Sequence, residues 1–314
     1  MQKLIISSSP HLRDKTTTRS IMQDVCIALL PAVIAGILFF GYRSALIVLV
    51  AVAAAVLSEL IYCKATHQKN TTGDFSAVVT GMLLAMNLPA SVPLWMPVVG
   101  SIIAIILVKM IFGGIGQNFV NPALLARAML ALSWATIMTK FPEPAFGNLA
   151  GVDAVASATP LAAGGAYSIG QLFLGNIPGV IGETCKLALL LCAAYLLWKK
   201  VISWHIPAAF IGVFAVCYLI GTGFNVGLTV SQVLSGGLIL GAFFMATDYS
   251  TSPTTDLGKL IFGAGCGLLL FIFRFARGGQ SEWCSFAILL MNVVSPLIER
   301  VTMPKSFGEV SKHE

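Results

Sequence analysis

GMLLAMNLPASVP, residues Gly81–Pro93, returns later in the chain as GAFFMATDYSTSP, residues Gly241–Pro253. The offset is a constant 160 positions. In each copy a glycine opens an apolar stretch, a polar turn follows, and the copy closes on Ser or Thr, one residue, and Pro. An apolar run comes next, then a glycine pair, Gly113-Gly114 and Gly278-Gly279. Short apolar motifs recur by chance in hydrophobic chains, but here offset, turn chemistry and glycine pair agree. Each repeat holds five apolar runs. An odd number means that the two halves enter a membrane from opposite sides. Inverted repeats with Pro/Gly-interrupted segments hold their binding sites near the bilayer midplane.

Composition requires that membrane. Hydrophobic residues make up 57% of the 314 and charged residues 10%. Soluble domains carry about 25% charge, so this chain cannot cover a water-facing surface. Runs of spanning length, roughly 20 residues, recur along it. They predict about ten spans, near 22–41, 44–63, 75–91, 94–112, 120–139, 180–198, 206–223, 230–247, 257–275 and 283–300. With the N-terminus inside, Lys and Arg divide 14 to 5 in favour of the inner side. Both termini are then cytoplasmic. The net charge of +6 is accordingly a topology signal and predicts no nucleic-acid partner. The polar start MQKLIISSSPHLRDKTTTRS and the long first run are unlike a cleavable signal peptide.

The predicted organisation is a cytoplasmic segment 1–20, a first five-helix repeat 21–139, an extracytoplasmic loop 140–179, a second repeat 180–300 and a cytoplasmic tail 301–314. The seven cysteines form no CxxC and the four histidines lie far apart. Nothing has the spacing of a metal or iron–sulfur site within one chain.

Four polar features stand out. In GGIGQNFVNPALLARAM (Gly113–Met129) no strand precedes the glycines and the third glycine of a dinucleotide fingerprint is missing. The stretch reads as a Gly-rich turn, with Asn121 as N-cap and Pro122 in the first helical turn. Asn118 and Asn121 have amides that suit a polar ring or an ion; capping alone is the alternative. Asp248 ends the eighth run, and a carboxylate at membrane depth is a functional candidate. Glu59 lies near the end of its run, within reach of water. Gly182, Glu183 and Thr184 read as the first turn of the sixth span, where an acid suits the helix dipole. The breaks Asn87–Pro93 and Thr247–Pro253 are expected to face each other. A cavity there, with Asn118, Asn121, Thr247 and Asp248, would take a polar ring or an ion.

The outer loop carries VDAVASATPLAAGG, Val152–Gly165. On spacing alone, a threonine before a proline among small residues is a turn. Taken in order, however, SSSPHLRDKTTTRSIMQDV, GGIGQNFVNPALLARAM, SATPLA, GNIPGVIGET, FFMATDYSTSP and EWCSFAILLMNVVSPLIER resemble the D subunit of the Rnf electron-transport complex. They cover most of the chain. The superfamily includes the B subunit of the sodium-translocating NADH:quinone reductase, usually longer at its N-terminus. The resemblance implies FMN joined by a phosphoester to Thr159, within Ser157-Ala158-Thr159, with Asp153 helping attachment or orienting the loop. Ala156 stands where the family commonly has Ser or Thr, and Ser157 where it has Gly. It further implies a flavin transferase for maturation, a second non-covalent flavin (riboflavin) in the membrane, and a urea-transporter-like scaffold of two inverted five-helix repeats. Its implied partners are the other membrane and peripheral Rnf subunits, one bearing a second FMN, and Na+ or H+. The implied location is the bacterial inner membrane. A small-solute channel on the same scaffold is the competing reading. No catalytic acid or base is visible, and electron transfer between flavins needs none from the protein.

Overall fold

The computed structural model describes residues 16–147, 156–157, 160–161, 167–276 and 283–304. Thr17 and Ser20 form a reciprocal capping box that starts α1, Thr18–Phe40. Gly41, at φ +77°, ends α1 and leads directly into α2, Tyr42–Ala65. There follow α3 (Ser76–Met86), α4 (Trp95–Met110, π-helical over Ile103–Met110), α5 (Pro122–Ser133) and the single turn α6 (Ala135–Met138). The short α7 (Ile169–Leu174) precedes α8 (Lys186–Trp198) and α9 (His205–Gly221). The chain closes with α10 (Val226–Leu234), α11 (Leu238–Met245), α12 (Asp256–Ala276) and α13 (Cys284–Thr302). A two-residue antiparallel ladder, Phe141–Pro142 with Ala156–Ser157, is the one sheet among the described residues.

The protein is helical and polytopic. Four helices, α1, α2, α12 and α13, are long and apolar enough to cross a membrane alone. α10 and α11 satisfy the same test together but are bent by 64° at their junction. Leu49, Ile61, Ile220 and Leu297 are each 60–65% exposed on these and neighbouring helices. Such side chains face lipid tails without penalty, whereas water would penalise them.

Several expected spans are shorter than their apolar runs. α3 has 11 residues, about 16 Å at 1.5 Å each, half of a ~30 Å hydrocarbon core. The run 75–91 therefore does not cross as one helix. The run 120–139 breaks at Trp134, and the run 230–247 breaks at Ser235–Gly237. The run 180–198 becomes helical only at Lys186, so Gly182, Glu183 and Thr184 lie in a loop and not in a first helical turn. The cause is visible in the pairing. The turn after α3 is buried and pairs through its backbone with the segment before α8. Ile181 N donates to Leu88 O at 3.1 Å and Gly182 N to Met86 O at 2.8 Å, beside a Pro89–Val180 bridge. Non-helical backbone at this depth survives because protein covers it.

Gly182 makes that approach possible. A Cβ there would collide with the Met86 side chain from its Cβ outward. Gly182→Ala is expected to destabilise the chain by about 1–3 kcal/mol through overpacking. Gly212→Ala in α9, where a Cβ meets nothing within 4 Å, is the matched control. Thermal melting of both variants in detergent checks this; equal midpoints would contradict the pairing.

The halves interlock. α1 packs on α8 and α5 on α13, while α3 packs on α2 and α5. α9 packs chiefly on α12, and α11 contacts α9 and α13. One core cluster runs through most of these helices, from Leu29 of α1 to Phe210 of α9 and Ile288 of α13.

Candidate functional site

The Gly-rich turn and its cap form as the sequence predicts. Gly113, Gly114 and Gly116 all have positive φ. Asn121 Oδ1 accepts from Ala123 N at 3.1 Å and Leu124 N at 3.2 Å, and Pro122 opens α5. The cap also reaches across the protein: Asn121 Nδ2 donates to Met245 O, 3.2 Å away, at the last turn of α11. Most of the Asn121 amide is thereby committed to structure.

A cavity of about 110 Å³ opens beside this turn, room for several waters. Asn118, Asn121, Thr247 and Asp248 all line it, as do Ser76, Lys109 and Ser250. Phe243, Phe244 and Tyr249 supply aromatic wall, and Met22, Val79 and Leu83 supply apolar wall. Asp248 is half-buried and accepts from Ser250 Oγ at 3.2 Å and Thr251 Oγ1 at 3.4 Å. Asn118 Nδ2 donates to Val120 O at 3.2 Å. The Thr247 hydroxyl donates to Phe243 O at 2.7 Å and retains acceptor capacity toward the cavity. Hydrogen-bond donors, acceptors and aromatic side chains thus line one cavity.

The two breaks do not both line this cavity. Asn87 touches α11, its Nδ2 lying 3.7 Å from Met245 Sδ. Leu88 and Pro89 pair instead with Ile181 and Val180, and the Ser91 and Val92 carbonyls accept from Arg43. The cavity therefore belongs to the second break, the Gly-rich turn and the facing sides of α1, α3 and α8.

Glu59 does not reach water. It is fully buried, accepts from Lys109 Nζ at 2.9 Å, and also accepts from the Thr71 hydroxyl. Lys109 Nζ also donates to Ser76 Oγ at 2.6 Å, and Ser76 Oγ to Asp74 Oδ1 at 2.5 Å. Lys109, Arg127, Lys186 and Arg274 are all buried, so they fix no sidedness. Setting them aside leaves the inner excess of Lys and Arg intact.

A second buried charged group, which the sequence does not reveal, sits on the other side of the core. Glu183 lies within electrostatic range of Lys186, Arg127 and Arg274, and Lys186 within range of Arg274. Arg127 Nε donates to Asn87 O at 3.2 Å and Nη1 to the Ser285 hydroxyl. Only the spacing of Glu183 and Lys186 hints at this in the sequence, because the other members come from distant elements.

Of the loop candidates, Asp153 and Thr159 lie outside the described residues. The Ser157 backbone pairs with Phe141 in the short ladder, and Pro160 and Leu161 are buried.

Broken apolar helices, a polar midcore cavity and buried charge clusters define a multi-pass membrane protein built around an internal site. The chain belongs to the NQR2, RnfD, RnfE family, whose model matches residues 5–308. It is 46% identical to the D subunit of the Na(+)-translocating ferredoxin:NAD(+) oxidoreductase complex of Acetobacterium woodii, over 97% of this chain and 95% of that one. It is 41% identical to the D subunit of the proton-translocating ferredoxin:NAD(+) oxidoreductase complex of Clostridium ljungdahlii, over 96% of each chain. With the D subunit of the ion-translocating oxidoreductase complex of Salmonella arizonae it shares 35%, over 96% of this chain and 98% of the relative.

Proposed function

We propose that this chain is the membrane redox subunit of an ion-translocating ferredoxin:NAD oxidoreductase. The observation that carries this is near-full-length similarity to relatives named as the D subunits of such complexes. On this reading FMN is joined by a phosphoester to Thr159, and a second, non-covalent flavin occupies the cavity beside Asn118, Thr247 and Asp248. The supports are the SATPLA motif for the first and the polar and aromatic lining for the second. The two halves are inverted five-helix repeats. The 160-residue offset and the contacts of α1 with α8 and α5 with α13 support this. The chain sits in the bacterial inner membrane with both termini cytoplasmic, as the Lys and Arg distribution suggests. Its partners are the other Rnf subunits, including one bearing a second FMN, and a flavin transferase acts in maturation. The coupling ion is Na+ or H+; the relatives include both kinds.

Bound flavins supply the electron chemistry. The chain's residues hold and shield them. Asn118 offers an amide and Asp248 a carboxylate at one end of the cavity, while Phe243 and Phe244 keep bulk water from its wall. The buried Glu59–Lys109 pair sets a fixed cation at the cavity edge.

The experiment is Asp248→Asn in the intact complex. It is expected to lose most of the non-covalent flavin and keep Thr159-linked FMN. Full flavin content with loss of ion coupling alone would assign the cavity to the ion instead. Wild-type behaviour in both would leave Asp248 as a turn-capping residue. The purified chain alone is expected to reduce no NAD; steady reduction by it would refute its role as one part of a larger complex.

A further inference from the structure

A line of proton-bearing groups joins the cavity to the exposed loop between α2 and α3. Lys109 and Ser76 both line the cavity. Lys109 Nζ donates to Ser76 Oγ at 2.6 Å, and Ser76 Oγ donates to Asp74 Oδ1 at 2.5 Å. Asp74 Oδ1 also accepts from Ser76 N at 2.8 Å, which fixes the carboxylate at the start of α3. Lys109 and Ser76 are buried, whereas Asp74 is half-buried and residues 64–71 of the same loop are all exposed. On its other side Lys109 Nζ donates to Glu59 Oε2 at 2.9 Å. These two contacts use two of the ammonium's three donors.

A salt bridge accounts for Glu59 but not for the line. Buried ion pairs contribute little to stability beyond what apolar residues of the same size would, and the contacts to Ser76 and Asp74 lead away from the pair, toward water. A metal cation could follow this line only by displacing the ammonium that already answers Glu59, whereas a proton passes through it. An occupant that fills the cavity excludes water, so a proton reaches it through the wall. Of the other ionisable lining residues, Tyr249 donates its hydroxyl to Val201 O, and Asp248 accepts from hydroxyls of its own turn. Among the described contacts, Lys109 is the one that continues to the loop.

From this geometry we infer that Asp74, Ser76 and Lys109 carry protons from water at the α2–α3 loop to the ligand in the cavity. This rests on the reading of that ligand as a flavin, which takes up protons when electrons from the complex reduce it. Lys109 Nζ gives one proton to a ring nitrogen. The neutral amine takes the Ser76 hydroxyl proton once that hydroxyl has turned toward it, Ser76 takes one from the Asp74 carboxyl, and Asp74 is recharged from water. One proton enters for each that leaves. Glu59 is a positioning residue that holds Lys109 in place.

The test mixes the purified complex rapidly with a soluble reductant and a pH indicator, so that proton uptake on reduction of the non-covalent flavin is read apart from NAD reduction. Asp74→Asn keeps a hydrogen-bonding group in place but passes no proton. It is expected to retain wild-type flavin content and thermal midpoint, and to slow the uptake by about a hundredfold, the scale of losing a positioned proton donor. Acetate, a small acid that reaches the exposed loop, should restore much of the rate, and Asp74→Glu should keep it. The double variant Glu59→Gln, Lys109→Met should be slowed as much and gain nothing from acetate, because its break lies at the cavity wall. Wild-type uptake in Asp74→Asn, or a slowing that acetate leaves untouched, overturns the path. A slowing relieved by added sodium and not by acetate makes the line a cation route and overturns it equally. Absence of releasable flavin from the wild-type complex sinks the reading of the cavity and the path with it, and flavin content reports that outcome separately.

Discussion

Thr159→Ala is expected to abolish covalent flavin completely and to bring ferredoxin-dependent NAD reduction by the complex down to background. Alanine has no oxygen to form the phosphoester, and no other threonine stands in SATPLA. The chain should still assemble with its partners, because the helices that make the core do not depend on the loop. Assembly is read by co-purification of the other subunits, attachment by fluorescence of the denatured band. A fluorescent band in the alanine variant would place the linkage elsewhere.

Lys109→Met is expected to destabilise the chain by about 3–5 kcal/mol, the cost of leaving a buried carboxylate without its partner. Glu59 is wholly enclosed, and its remaining contact is the Thr71 hydroxyl. The double variant Glu59→Gln, Lys109→Met should recover most of that loss, since two neutral groups of similar size replace both charges. Thermal midpoints of the three variants measure this. Additive losses would mean that the two side chains act independently, contrary to their 2.9 Å contact.

Much of the fold is legible in the sequence, for identifiable reasons. α1, α2, α12 and α13 coincide with apolar runs of spanning length, and hydropathy finds such runs directly. The Asn121–Pro122 helix start is equally legible, because its chemistry is local to three residues. The half-length helices are not. Residues 87–93 and 175–185 are mostly buried turns joined by a single bridge, and hydropathy does not distinguish buried non-helical backbone from helix. The pairing of Gly182 with Met86 joins positions 96 apart, which no local pattern reports.

The site divides the same way. Asn118, Asn121, Thr247 and Asp248 line one cavity, because two short polar motifs each place their own members. The buried cations are illegible. Lys109, Lys186 and Arg274 stand toward the ends of apolar runs, where a flanking charge and a buried one read alike, and Arg127 lies inside its run. Only the partner, up to 50 residues away for Lys109, separates the two cases. The role proposed for Thr159 rests on resemblance alone, since spacing makes it an ordinary turn residue.

The most direct measurement is the mass of the proteolytic segment Phe141–Lys186, which trypsin releases whole because no Lys or Arg interrupts it. Taken from the chain purified within its complex, it should carry the added mass of one FMN joined with loss of water, with fragmentation locating the addition on Thr159. The unmodified mass in a complex that reduces NAD with ferredoxin would contradict the account.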